Sequence, residues 1–267
     1  PLTGNRGGRV CLYRGFMKIL LPPSETKRPG GSGAPLDLRT LVLPGLHDER
    51  SAVVDALVGL AGDEDAARSV LKLSARQVGD IEHNRMLRRA ATMPAVDRYT
   101  GVLFDALDAG TLSTASRRWL GAHVWIHSAP LGPVGALDGI PAYRLAAGTS
   151  LPGLPALRRH WAEATQVAIA QEAPPFVLDL RSEAYVALGP VPDSVPSAYV
   201  RVVTDAEGAS RALNHFNKKS KGLLVRALAE DRPRIGSLRS LRSWAQKHDV
   251  VLRDSESPGV WELVVAE

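Results

Sequence analysis

The chain has 267 residues, 45% of them apolar and 5% aromatic, with a formal charge of +5 and a single cysteine. Such a length and apolar share bury a sizeable core and exclude a wholly disordered chain. Cys11 alone excludes an internal disulfide framework and a cysteine-built zinc site, and no apolar run reaches the ~18 residues of a membrane span, so a cytoplasmic protein without a membrane partner is expected.

The first sixteen residues, PLTGNRGGRVCLYRGF, are basic and glycine-rich and lack the apolar stretch of a secretory signal. Residues 1–16 are read as a non-native or disordered extension, and residues 17–267 as one domain. Without Arg6, Arg9 and Arg14 the charge falls from +5 to +2, so the overall balance identifies no anionic partner.

From Met17, MKILL reads as a short buried strand that runs into the loop PPSETKRPGGSG. HDERSAVVDALVGLAG has helical apolar spacing and a glycine stop, and LSARQVGDIEHNRMLRRAAT starts on a serine cap and predicts a second helix that ends at Pro94. A further helix is expected from Asp97 to Asp108, with a short one after Ser113. HVWIHSA predicts a strand, LPALRRHWAEATQVAIAQ an amphipathic helix, PFVLDL a strand directly before a helix start, and AYVRVVTD another strand. HFNKKSKGLLVRALAE and residues 236–248 are predicted helices, and DVVLR and VWELVV close the chain as strands. Strict βαβ alternation is absent and no linker or repeat interrupts the pattern. The fold class is therefore mixed α/β, a mixed sheet flanked by helices.

Charge is concentrated rather than spread. Residues 211–247 hold ten Lys or Arg against Glu230 and Asp231. At ~100° per residue, Phe216, Ser220, Leu223, Leu224 and Ala227 share one side of the predicted helix, and Lys218, Gly222 and Arg226 the other, flanked by Lys219. No carboxylate stands among these bases before Glu230, whereas a solvated face would mix acids with bases. A glycine inside a helix costs ~1 kcal/mol against alanine, which a close approach to its backbone would explain. The plain alternative is a basic face with an incidental glycine.

Three loops bring chemistry-bearing residues. PPSETK offers Ser24, Glu25, Thr26 and Lys27 outside any Walker frame; the alternative is a capping serine with a surface pair. VLDLRSEAY offers Asp179, Arg181, Ser182 and Glu183, with Asp179 and Arg181 on one strand face and Ser182 placed to cap the next helix and favour an anion there; the alternative is an internal Asp–Arg pair plus a cap. PAYRLAAGTS offers Tyr143 and Arg144, either a stacking and forking pair for a base or phosphate or a core tyrosine with its hydroxyl bonded. Seven histidines, among them His83, His123, His127, His160 and His215, show no metal-ligand spacing. No metal or other cofactor is expected.

The order PPSETK, DRYTGVLFDAL, PAYRLAAGTSLPGL, RRHW, VLDLRSEAY, HFNKKSKGLLVRAL resembles the YaaA family of bacterial peroxide-stress proteins, in an actinobacterial-type form, from about Met17 to the C-terminus. The resemblance implies a single-domain YaaA-like α/β fold with a positively charged cleft and a helix-hairpin-helix element, DNA binding, and survival of peroxide by limiting free iron. LKLSARQVGDIEHNRML is the best match to the hairpin region. One departure stands out: Gly135 occupies the place where the family usually has an arginine.

Two functions follow. In the first, DNA is held by its backbone and shape through Lys218, Lys219, Lys221 and Arg226, together with Ser24, Lys27, Tyr143, Arg144, Arg181 and Ser182, with no base-specific reading. In the second, the same cleft is the active site of an enzyme for a nucleotide, nucleobase or other anionic small molecule, with Glu25, Asp179 or Glu183 as acid or base and Lys218 as nucleophile or anion clamp. A monomer is favoured in either case.

Overall fold

A computed structural model describes residues 15–204 and 210–265. The extension read over residues 1–16 therefore lies, through residue 14, outside the described residues. β1 (Lys18–Leu21) is buried at all four positions, as an apolar strand covered on both faces should be. β2 (Gly33–Pro35) follows the PPSETK loop, and α1 (His47–Leu60), α2 (Glu64–Val70) and α3 (Asp80–Arg85) lead to β3 (Ala91–Pro94), α4 (Ala95–Arg98), α5 (Val102–Leu107) and α6 (Thr114–His123). Next come β4 (Val124–Ser128), β5 (Gly132–Gly135) and β6 (Gly139–Ile140), then α7 (Leu157–Glu172), β7 (Val177–Asp179), α8 (Glu183–Val186) and β8 (Ser197–Thr204). The described chain closes with α9 (Ser210–Asp231), α10 (Leu238–Lys247), β9 (Val251–Asp254) and β10 (Val260–Val265).

Seven strands form a mixed sheet in the order β5-β4-β1-β7-β8-β10-β9. The inner five run parallel, and β5 and β9 close the two edges antiparallel. From β1 the chain goes to β4 on one side and later to β7 on the other, so the connections part at β1. In an open α/β sheet that parting leaves a crevice outside the carboxyl ends of the strands. β2, β3 and β6 make a second, small sheet. One buried apolar cluster runs from Met17 to Leu263 and joins both sheets to the helices.

Two predicted helices are corrected. The segment from Leu73 to Thr92 is not continuous: Ser74 and Gln77 form a capping box on one 3-10 turn, α3 is six residues long, and Ala91–Pro94 is a strand. Tertiary ties override the local pattern here. Asn84 is buried, donating to the Arg144 carbonyl at 2.8 Å and accepting from the Arg144 N–H at 2.7 Å, while Thr92 and Met93 pair with β2 and β6. The helix expected from Asp97 to Asp108 splits into α4 and α5 because Gly101 takes φ +96°, a conformation that breaks the ladder and suits glycine.

Arg50, wholly buried in α1, shows how a loop is fixed without a carboxylate. Its guanidinium donates to the carbonyls of Leu131, Val42 and Pro133 at 2.8 Å and of Leu43 at 3.2 Å. Five donors in a rigid fork can serve several carbonyls at once, so α1 is stapled to the β4–β5 turn.

Candidate functional site

The loop after β1 turns Lys27 back beneath itself. Its ammonium nitrogen donates to the carbonyls of Ser24 at 3.0 Å and Glu25 at 3.2 Å. It sits over the face of the Tyr143 ring, 4.1 Å from the centroid, with the Tyr99 ring at 5.6 Å. Burial, then the positive Arg144, push its pKa down to about 7, with Asp80 and Glu25 acting in the opposite sense. The hydroxyls of Tyr99 and Tyr143, both buried, share a hydrogen bond of 2.7 Å with Ser128 as a further neighbour. Burial raises both phenols, which therefore stay protonated at neutral pH.

Around that core the loop is tied to the start of α5. Ser24, Thr26 and Thr100 form a chain of hydroxyls at 3.2 and 3.0 Å, and Lys27 pairs with Tyr99 as an isolated β-bridge. A side chain at Gly101 would come 3.3 Å from the Ser24 hydroxyl oxygen. The exposed Glu25 carboxylate reaches Arg144 at 3.5 Å.

The end of β7 supplies a second, buried cluster. Asp179 accepts from Arg181 in a bidentate fork, Nε to Oδ1 at 2.9 Å and Nη2 to Oδ2 at 2.6 Å. Arg181 also donates to Nδ1 of His127 at 2.7 Å and to the Gly189 carbonyl at 2.8 Å. His127 is thereby the neutral Nε2–H tautomer, and burial beside Arg181 holds its pKa well below the usual imidazole range. The internal pair anticipated for Asp179 and Arg181 is what forms. Ser182 stands at the start of α8 but makes no capping bond, and α8 is a four-residue turn. Glu183 is exposed, paired with Arg201 at 3.1 Å, and lines a cavity of about 260 Å³ with Arg158 and Tyr199.

α9 is rotated from the predicted orientation. Lys221, Gly222, Leu224, Val225, Leu228 and Ala229 are buried, whereas Phe216 and Leu223 are 39% and 48% exposed. The cause is Gly222: a Cβ there would stand 2.2 Å from the Leu103 carbonyl oxygen, so what approaches its backbone is α5. Arg226, one turn on, donates to the carbonyls of Leu107 and Asp108 at 3.1 Å and pairs with Glu230 at 2.9 Å. The basic run thus does contain an i,i+4 ion pair. Lys221 is buried near Asp179, its pKa lowered to about 8 by burial and supported by that carboxylate. Lys218 and Lys219 remain exposed.

Contacts 222 to 103 and 226 to 107 mean that α5 and α9 run parallel. Lys218, one turn before Gly222, is therefore level with the Tyr99–Gly101 bend and the PPSETK loop. Around the carboxyl end of β1 the fold places Ser24, Glu25, Lys27, Tyr143 and Arg144 on one side, and Asp179, Arg181 and Lys221 on the other, with Tyr143, Asp179, Arg181 and Lys221 buried. Of the four proposed catalytic residues, Glu25 pairs with Arg144, Asp179 is buried with Arg181, Glu183 pairs with Arg201, and Lys218 is exposed. Gly135 is opposite Trp125 in β5, three residues back from the carboxyl end of β4, and its N–H donates to Asp138 at 2.8 Å. Among the described residues no group of three His, Cys, Asp or Glu is placed to hold a metal ion, and no helix is long and apolar enough to cross a membrane. Sequence reasoning missed Tyr99, His127, Ser128 and Tyr185, whose ring lies 6.1 Å from that of His127. The legible signal was polar or aromatic residues at the ends of DRYTG, WIHS and RSEAY.

Sheet order and strand-end loops together define an open-sheet α/β protein whose polar loops gather at the carboxyl ends of β4, β1 and β7. Residues 17–248 match the family described as "Peroxide stress protein YaaA", and the chain belongs to that family. Relatives include a UPF0246 protein of Corynebacterium efficiens, 45% identical over 80% of this chain and 85% of its own length. Others are UPF0246 proteins of Streptomyces coelicolor, 42% identical over 79% and 82%, and of Corynebacterium glutamicum, 40% identical over 90% and 96%.

Proposed function

We propose that this chain serves peroxide defence in the cytoplasm by holding duplex DNA through its phosphate backbone, as a monomer and without base-specific contacts. The observation that carries the reading is a run of exposed cations along α9 and α10. Lys218 and Lys219 project from α9, and a groove of about 640 Å³ at the α9–α10 junction is lined by Arg234, Arg239 and Lys247 with Ser237, Ser240 and Ser243. Among the described residues none of these five cations makes an ion pair with a carboxylate, so each is available to a phosphate. Lys221 and Arg226 are occupied within the protein, and the groove takes the share of contacts that they do not supply. Exposed Arg68, Lys72 and Arg76, around the turn from α2 to α3, are the backbone-gripping element in this reading.

The test is duplex affinity across a salt series. Each lost phosphate contact lowers the slope of log affinity against log salt by about 0.9, so Lys218→Ala/Lys219→Ala should weaken binding at low salt and flatten the slope by roughly twice that. Unchanged affinity and slope would remove α9 from the interface, and absence of duplex binding by the wild type would end the reading.

A second reading is favoured by Lys27, whose amine is crowded between two tyrosine rings at a strand-end crevice. A passive phosphate clamp has no use for so desolvated an amine. An enzyme acting on an anionic, nucleotide-like molecule does.

A further inference from the structure

The Lys27 centre has three properties that DNA backbone binding does not require. First, the amine is held by carbonyls rather than by a carboxylate, at 3.0 and 3.2 Å, so no ion pair fixes it as an ammonium. Second, the Tyr143 ring 4.1 Å below it is a wall that aims the nitrogen and keeps water off one side. Third, an anion holder and proton carriers lie nearby: Arg144 and Glu25, paired at 3.5 Å and both acting on the amine's charge, and the bonded hydroxyls of the two tyrosines whose rings face it.

We propose that Lys27 is a nucleophilic amine that captures an aldehyde carried on a phosphate ester, forming an imine at its Nζ. The inference deepens the second reading of the crevice and rests on its being an anion site. In the step, the Nζ lone pair adds to the aldehyde carbon while one amine proton passes to the carbonyl oxygen, giving a carbinolamine. That hydroxyl then leaves as water with the second amine proton as the C=N bond forms. Amine and aldehyde become imine and one water; nothing is oxidised or reduced. Arg144, and Lys218 level with the same loop, hold the phosphate; Glu25 and the tyrosine pair carry the protons. A pKa near 7 leaves much of the amine uncharged at neutral pH, as nucleophilic attack needs.

Two sources present this chemistry: an abasic deoxyribose within DNA, or a free aldose phosphate. The full chain is incubated with a duplex bearing one abasic site, or with glyceraldehyde 3-phosphate, in the presence of cyanoborohydride, and the reduced adduct is located by peptide mass. The expected result is an adduct on Lys27 formed at least ten-fold faster than on any other lysine with one of the two probes, which then names the source. Lys27→Met, which removes the amine without placing an obligate charge in the same buried site, should keep a cooperative thermal melt and lose the adduct. Label spread over exposed lysines such as Lys218 and Lys219, or no adduct on Lys27 with either probe, overturns the proposal. The wild-type map alone decides this if the variant fails to fold. Intact-duplex affinity is read separately: trapping without duplex binding sinks DNA holding and leaves the imine standing, and duplex binding without trapping does the reverse.

Discussion

Lys27 and Lys221 are amines whose folded-state pKa values, about 7 and about 8, lie below the ordinary 10.5. Between those values and 10.5 the unfolded chain binds more protons than the folded one, so stability rises with pH through that window and is lost as pH falls toward 7. Tyr99 and Tyr143 act in the opposite sense. Their phenols are raised by burial, so their contribution is full below pH 10 and fades above it. Urea denaturation should therefore show stability climbing from pH 7 to a maximum close to pH 10, with Lys27→Met flattening the lower part of the climb. A wild-type profile that is level from pH 7 to 10 would contradict the burial argument. The loop residues Ser24, Glu25 and Lys27 were legible because a polar, proline-led loop leaving an apolar strand is a recognisable pattern. Their aromatic surroundings were not, because Tyr99 and Tyr143 reach Lys27 from segments far along the chain, and no local spacing encodes that approach.

At the scale of elements, the α5–α9 contact decides most. Alanine at position 222 gains ~1 kcal/mol of helix propensity, but its Cβ would collide with the Leu103 carbonyl at 2.2 Å and the Ala106 methyl at 2.9 Å. Overpacking of this kind costs roughly 1–3 kcal/mol, and two backbones must part to relieve it. Gly222→Ala is expected to destabilise the protein by up to about 2 kcal/mol in chemical denaturation; a gain in stability would show that the helices separate without cost. The helix itself was evident from its apolar spacing, and so were β1, β4, β7, α1 and α7, each a clean run of one period. Its orientation was not evident, because a glycine at a helix contact and a glycine beneath a ligand look alike until the partner helix is known. The same limit explains the segment from Leu73 to Thr92, where Asn84 and Thr92 satisfy distant backbone rather than their own.

For the molecule as a whole, charge is segregated: the cation-rich stretch is carried by α9 and α10, and α10 also packs onto edge strand β9. If the groove at the α9–α10 junction meets phosphates, Arg234→Ala/Arg239→Ala/Lys247→Ala should lower the salt slope of duplex affinity by about 2 to 3, near 0.9 for each contact, with thermal stability unchanged since these side chains lie on the surface. A slope equal to that of the wild type would confine binding to α9. The concentration of charge was readable from composition. Which of its members are free to meet a partner was not, since Arg226 shares a helix side with Lys218 and Lys219, and only the distant groups opposite each base, the Leu107 and Asp108 carbonyls for Arg226 and Asp179 for Lys221, decide which are occupied.

The parallel run of α5 and α9 makes Gly222 a ruler. A contact of zero side-chain thickness fixes how deep the two helices nest and which turn of one lies beside which turn of the other. A slip of one turn would carry Lys218 about 5.4 Å along the axis, away from its level with the bend at Tyr99–Gly101. The distance between the strand-end amine and the exposed lysines of α9 is thus set by the one residue of that stretch with no side chain at all.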